Sequence, residues 1–128
     1  MYISIDVSPG ELIDKITILQ IKMKQITDPQ KLKHVKQMLD MLQRSRTGVL
    51  PTNGQITTLE KQLLEINAKL WDIEDIIRGH ERVGDFGEVF VSLARSVYRL
   101  NDERAAVKRK IDLALGATYL EEKAYSDA

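Results

Sequence analysis

The chain has no cysteine among its 128 residues. Disulfides, thiolate metal sites and cysteine nucleophiles are therefore excluded, and a reducing cytoplasm is the expected setting. Aromatic residues make up only 5% of the chain, as four Tyr, two Phe and one Trp. The core must then be built of Leu, Ile, Val and Met, which favours interdigitating helices. No apolar run approaches the ~18 residues that a membrane span needs. The opening Met1-Tyr2-Ile3-Ser4-Ile5-Asp6 lacks the basic region of a secretory signal. The expectation is a cytoplasmic protein with no membrane contact. Several catalytic signatures are missing as well. There is no phosphate-binding glycine loop. Neither His34 nor His80 has a Glu three residues earlier, so the Glu-x-x-His motif of di-iron bundles is absent. No Ser carries an adjacent His/Asp pattern for nucleophilic catalysis.

What remains is ordinary in amount and uneven in placement. Hydrophobic residues are 43% and charged residues 30% of the chain, with 19 basic and 19 acidic side chains and zero net charge. Residues 1–47 hold eight Lys/Arg against five Asp/Glu, residues 48–83 four against six, and residues 84–128 seven against eight. A surplus of three is too diffuse for a nucleic-acid face, so none is expected. The length suits a single domain, residues 1–128.

Residues 2–7 alternate, with Ile3, Ile5 and Val7 on one side and Tyr2, Ser4 and Asp6 on the other. That period reads as a short N-terminal β-strand. A lone strand leaves backbone groups unpaired, so it needs Thr47–Leu50 or a second subunit. Ser8 then caps a first helix, with Pro9 at its first position and Glu11 at capping-box spacing. This helix should run to about Thr27 and carry Leu12, Ile16, Leu19, Met23 and Ile26 on one stripe. Ile13, Ile18 and Ile21 widen the stripe, so the helix should pack on two sides. Asp28-Pro29 repeats the restart signal for a second helix to about Arg46. Thr47 to Gly54 reads as a loop. A long third helix from Ile56 to Arg82 carries Ile56, Leu59, Leu63, Ile66, Leu70, Ile73 and Ile77 on one stripe. The tight Val83-Gly84-Asp85 connection returns a long fourth helix antiparallel to it, ending at Gly116. Thr118 and Glu121 have capping-box spacing, which predicts a short C-terminal helix over Tyr119 to about Tyr125. The expected fold is all-α: an antiparallel bundle of about four helices, two of them long, with a short strand in front and a short helix behind.

Some polar residues stand where a plain bundle would not put them. Asp14 interrupts an apolar flank of helix one. A buried carboxylate costs several kcal/mol unless paired, so it needs an Arg, a Lys, a metal or backbone donors. Beside the core stripe of helix three lies a half-polar seam of Leu64, Asn67, Trp71, Glu74 and Arg78. Asp72, Glu74 and Asp75 crowd three carboxylates into one turn. They form either an exposed acidic patch with Glu74 paired to Arg78, or weak candidates for a cation site at Asp72 and Asp75. On helix four, Arg95, Arg99 and Asp102 share a face, and Arg104 breaks the apolar stripe. An Arg at such a position implies a fixed anion: Asp14, Glu74 or Asp75, or else a ligand phosphate or carboxylate.

Three stretches resemble one uncharacterised bacterial and phage family of small helical proteins. They are Ser8-Pro9-Gly10-Glu11-Leu12-Ile13-Asp14-Lys15-Ile16-Thr17-Ile18-Leu19, Asn67 through Arg78, and Leu93-Ala94-Arg95-Ser96-Val97-Tyr98 leading to Asn101-Asp102 and Arg104-Ala105. A weaker fourth is Glu121-Glu122-Lys123-Ala124-Tyr125. The resemblance spans nearly the whole chain and implies no catalytic residues. Its polar positions coincide with the misplaced ones, which suggests one constellation: Asp14, Lys15, Asn67, Trp71, Glu74, Asp75, Arg95, Asp102 and Arg104.

The leading expectation is a non-enzymatic helical domain that oligomerises, as a dimer, or binds a protein partner, with no cofactor. The alternative is a hydrolase or transferase dependent on Mg or Mn, acting on a nucleotide or sugar phosphate. Asp72-x-x-Asp75 and Asp85-x-x-Glu88 have the spacing of helical pyrophosphohydrolases, although Asp85 falls in an expected turn. A third idea, a chorismate-mutase-like enzyme, lacks an Arg on helix one.

Overall fold

A computed structural model describes residues 1–117. Among them stand four helices: α1 (Pro9–Gln25), α2 (Pro29–Val49), α3 (Gly54–Val83) and α4 (Glu88–Ala114). Two of the caps, Ser8 and Asp28, are those the sequence announces, and Asn53 adds a third. Ser8 accepts from the Glu11 N–H, Asp28 from the Lys31 N–H, and Asn53 from the Ile56 N–H. Each satisfies one of the orphan donors at a helix start. At the far end of α3, Gly84 adopts φ +70°, and the Asp85 N–H donates to the His80 carbonyl. This Schellman arrangement ends the helix and turns the chain toward α4.

Two expectations need correction. The N-terminal strand does not form: residues 2–7 have no regular structure and are exposed, Ile3 at 80% and Ile5 at 75%. Its proposed partner is consumed, because Thr47, Gly48 and Val49 are the last residues of α2. Helix propagation costs little there, since the next Pro is Pro51, and the Leu50 N–H closes onto the Arg46 carbonyl. With no neighbouring edge, an isolated strand has nothing to pair with. The loop accordingly shrinks to residues 50–53. The expected helix at Tyr119–Tyr125 lies outside the described residues.

Helix directions follow from which residues meet. Going up α3, Leu59, Ile66 and Trp71 face clefts shared with Leu113, Val107 and Asn101 of α4. Rising numbers meet falling ones, so α3 and α4 are antiparallel. Helix α1 lies against both, parallel to α3 and antiparallel to α4. The core joins Ile13 to Ile56, Leu59, Leu63, Ile66, Leu70, Val107 and Ile111. Ile16, Leu19 and Ile21 are buried as well. Thus α1 is packed on two sides, and α2 lies against a further face of it.

Helix α2 contributes no buried residue of its own. Leu32, Val35, Leu39 and Leu42 are half-buried against α1. A bidentate ion pair from Arg46 to Glu60 ties its end to α3. The α3 stripe is buried through Leu70, whereas Ile73 and Ile77 are only half-buried. The tip of the α3–α4 hairpin is therefore apolar and incompletely covered.

Candidate functional site

The polar residues converge where α1 crosses the middle of the hairpin. A ladder of contacts runs between α1 and α4. The Gly10 N–H donates to Asp112 Oδ1 at 2.6 Å. One step on, Lys108 Nζ donates to Glu11 Oε2 at 2.7 Å. Next, Arg104 Nε donates to Asp14 Oδ1 at 2.8 Å, and its Nη2 donates to Oδ2. One and then three residues forward in α1 match two steps of four backward in α4, so the two helices run antiparallel.

Helix α3 completes the centre. Asn67 Nδ2 donates to Asp14 Oδ1 and to Thr17 Oγ1, both at 2.9 Å. Thr17 Oγ1 donates in turn to the Asp14 carbonyl at 2.7 Å. Asp14 is 1% exposed, Thr17 0% and Asn67 6%. The quartet Asp14–Thr17–Asn67–Arg104 uses both protons of the Asn67 amide and both oxygens of the carboxylate. Among the described residues no buried side-chain nitrogen or oxygen lacks a partner.

Electrostatics follow the geometry. Burial would push the Asp14 carboxyl up. Hydrogen bonds from Arg104 and Asn67, with the charges of Arg104 and Lys108, outweigh it and hold the group below the ordinary carboxylate range. Glu11 is treated alike: burial raises it, and the hydrogen bond and charge of Lys108, helped by Lys15, lower it further. Asp112 is 3% exposed and sits at the start of α1. A carboxylate there meets free backbone N–H groups and the positive end of the helix dipole. The protein thus fills its own helix-terminal anion site.

The expected constellation is partly assembled. Asp14, Asn67 and Arg104 form the buried centre, and Trp71 and Glu74 line a shallow cleft of about 160 Å³ beside it. Ile18, Ile21, Leu70 and Asn101 line it too, and Asn67 and Arg104 of the centre reach its wall. Lys15 is exposed and pairs with Glu11 at 3.5 Å. Asp75 and Asp102 are exposed. Arg95 is exposed on α4 near Arg99 and Glu88, away from the quartet. The anionic partner of Arg104 is Asp14, one of the three carboxylates proposed for it. The Glu74–Arg78 pair is not among the ion pairs formed between described residues.

Asp72 and Asp75 are exposed on α3, and Asp85 stands in the turn before α4. Among the described residues no three His, Cys, Asp or Glu side chains come close enough to hold a metal ion. Likewise, no described helix is long and apolar enough to cross a membrane.

Sequence reasoning missed Thr17, Asp112 and Gly10. Thr17 lies three residues after Asp14, the reach of a hydroxyl back to a helical carbonyl. Asp112 follows Ile111 inside an apolar stripe and sits four residues from Lys108. Gly10 occupies an early helical position where no turn calls for glycine, a sign of close packing.

Neither the curated proteins nor the solved structures contain a match to this chain. One family model does match, over residues 3–128. By that match, and over nearly its full length, the chain belongs to the family of unknown function DUF6165.

Proposed function

We propose that the chain is a non-enzymatic helical interaction domain that self-associates. The carrying observation is the contrast between its polar and apolar groups. The carboxylate of the polar centre is closed off, with Asp14 accepting from three donors and removed from solvent. A carboxylate so held, with its proton affinity lowered, is a poor general base and a poor ligand for anything arriving from outside. Apolar groups, in contrast, are left open at the surface. Phe86 is 53% exposed, Val89 62% and Ile76 49%, all toward the tip of the hairpin. Met38 and Met41 of α2 are 52% and 41% exposed. Exposed apolar surface in contiguous stripes is the usual mark of a protein interface.

In this reading the buried quartet fixes the register of three helices. A polar group that is satisfied in only one alignment discriminates against slipped packings, a use of buried polarity that holds in several systems. The outer stripes then meet a second copy. Sedimentation equilibrium between about 1 and 100 µM tests the proposal. A dimer at the upper concentrations is expected. A monomer throughout would remove self-association.

A further inference from the structure

The tip half of α4 turns one face away from the helices it packs on. Val97, Leu100, Val107 and Ile111 meet the core, and Arg104 meets Asp14. At about 100° per residue, Glu88, Ser92, Arg95 and Arg99 fall on the opposite side at 4-3-4 spacing, with Val91 beside them. All five are exposed, Val91 at 44%. With Gly87 they line an open concavity of about 530 Å³. The charges on this face are not met within their own helix. The residues three and four away from Arg95 are Val91, Ser92, Tyr98 and Arg99, so its one charged neighbour is another cation. Glu88 has Val91 and Ser92 one turn ahead, and no base. Glu88, Arg95 and Arg99 enter no ion pair among the described residues.

We infer that this face binds the same face of a second copy, with the two α4 helices antiparallel and centred between Val91 and Ser92. The inference rests on the self-association proposed above and names the surface that makes it. A second copy is the occupant because the charges are self-complementary in this arrangement and clash in the neighbouring ones. Antiparallel helices bring level those residues that lie equally far on either side of the centre. Glu88 is then level with Arg95 of the second copy, and Asp85 falls within one residue of Arg99. The two-fold axis repeats both, which gives four pairs of opposite sign. The Asp85 side chain is 61% exposed. Phe86 and Tyr98, 53% and 55% exposed, also come level to within one residue. Ser92 is small, so the helices can approach closely near the axis. Sliding one helix by a heptad sets Arg95 against Arg95 in one direction and Glu88 against Glu88 in the other. A parallel pair in register does both at once. The charges therefore select one orientation and one register.

The test is charge exchange, read by sedimentation equilibrium at low salt. Glu88→Arg turns two attractive pairs into repulsive ones, and so does Arg95→Glu. Each should weaken self-association by about tenfold or more. When the two variants are mixed, one chain carries two bases at positions 88 and 95 and the other carries two acids. The mixture should form a heterodimer with close to the wild-type affinity, while neither variant pairs well with itself. Both substitutions lie at exposed positions, so circular dichroism should be unchanged. A loss caused by damage to the fold would not be recovered by mixing. A wild-type dimer that neither substitution weakens overturns the inference and leaves self-association standing through another surface. Weakening that mixing fails to reverse also overturns the antiparallel pairing. A wild-type monomer throughout defeats both readings.

Discussion

Arg104 and Asp14, ninety positions apart, meet through two hydrogen bonds: Nε to Oδ1 at 2.8 Å and Nη2 to Oδ2. The two partners are not equally buried. The Asp14 side chain is 1% exposed and that of Arg104 29%. Removing either therefore has different consequences. Arg104→Met leaves a sequestered carboxylate with only Asn67 to satisfy it, and should cost about 3–5 kcal/mol. Asp14→Ala leaves a guanidinium that can turn toward water, and should cost about 2 kcal/mol. Asp14→Ala combined with Arg104→Met should recover part of the loss, because no charge is then left behind. Urea denaturation of the four proteins gives the coupling energy directly. Equal losses for the two single variants would contradict the asymmetry.

The same contact sets a pH dependence. Asp14 and Glu11 are both held below their ordinary values in the folded state, against burial that opposes this. For a carboxylate depressed on folding, the unfolded chain binds protons more readily. The added stability is fully present above the unfolded value near 4 and is lost as pH falls through the folded one. The wild type should therefore lose midpoint temperature steeply on acidification below about pH 4. Asp14→Asn removes the titrating group. It starts less stable at pH 7, and its deficit relative to wild type should narrow as pH falls through that window. A deficit independent of pH would show that Asp14 is not depressed.

Asn67 offers a variant of opposite sign. Its Nδ2 lies 2.9 Å from Asp14 Oδ1 and 2.9 Å from Thr17 Oγ1. Asn67→Asp keeps the shape, removes both donors and sets a second carboxylate against the first. At pH 7 the loss should be on the order of 3 kcal/mol. Two carboxylates this close share one proton, so the folded pair is raised above its unfolded value. Its stability should then improve as pH is lowered from 7 toward 5, where the wild type stays level. Thermal melts across that range check it, and a flat profile for Asn67→Asp rules out a shared proton.

The helices were legible because their signals are local. Ser8-Pro9, Asp28-Pro29 and Gly84 act within a few residues, and each caps or ends a helix as its chemistry requires. The stripe of α3 was visible through its spacing. How far burial extends along it was not, because that depends on where α1 and α2 end. Asp14 and Arg104 were conspicuous as charges inside apolar stripes, and this singled them out. Their mutual distance is a tertiary fact, so Glu74 and Asp75 remained equal contenders until the helices were placed. The strand failed for the same reason. Alternation over residues 2–7 was present, but pairing needs an edge, and α2 ran through the residues that would have supplied one. Asp112 was hidden because its partner is a backbone N–H, which every residue but proline possesses.

Gly10 gives the sharpest contrast with general expectation. Replacing glycine by alanine inside a helix ordinarily stabilises by about 0.5–1 kcal/mol, since less backbone entropy is lost on folding. Gly48, in α2, should follow that rule, because a Cβ there meets nothing within 4 Å. A Cβ on Gly10 would lie 2.5 Å from the Lys108 carbonyl oxygen and 2.8 Å from Asp112 Oδ1. The first is backbone of a packed helix and cannot swing aside. The second is the acceptor that holds the Gly10 N–H. Helix α1 would have to move off α4, disturbing the Glu11–Lys108 and Asp14–Arg104 contacts that follow it in the ladder. Gly10→Ala should therefore destabilise by about 2 kcal/mol or more, as overpacked sites do, while Gly48→Ala gains a few tenths to 1 kcal/mol. Chemical denaturation of the two variants side by side decides the matter. A Gly10→Ala protein as stable as Gly48→Ala would mean that α1 does not approach α4 this closely.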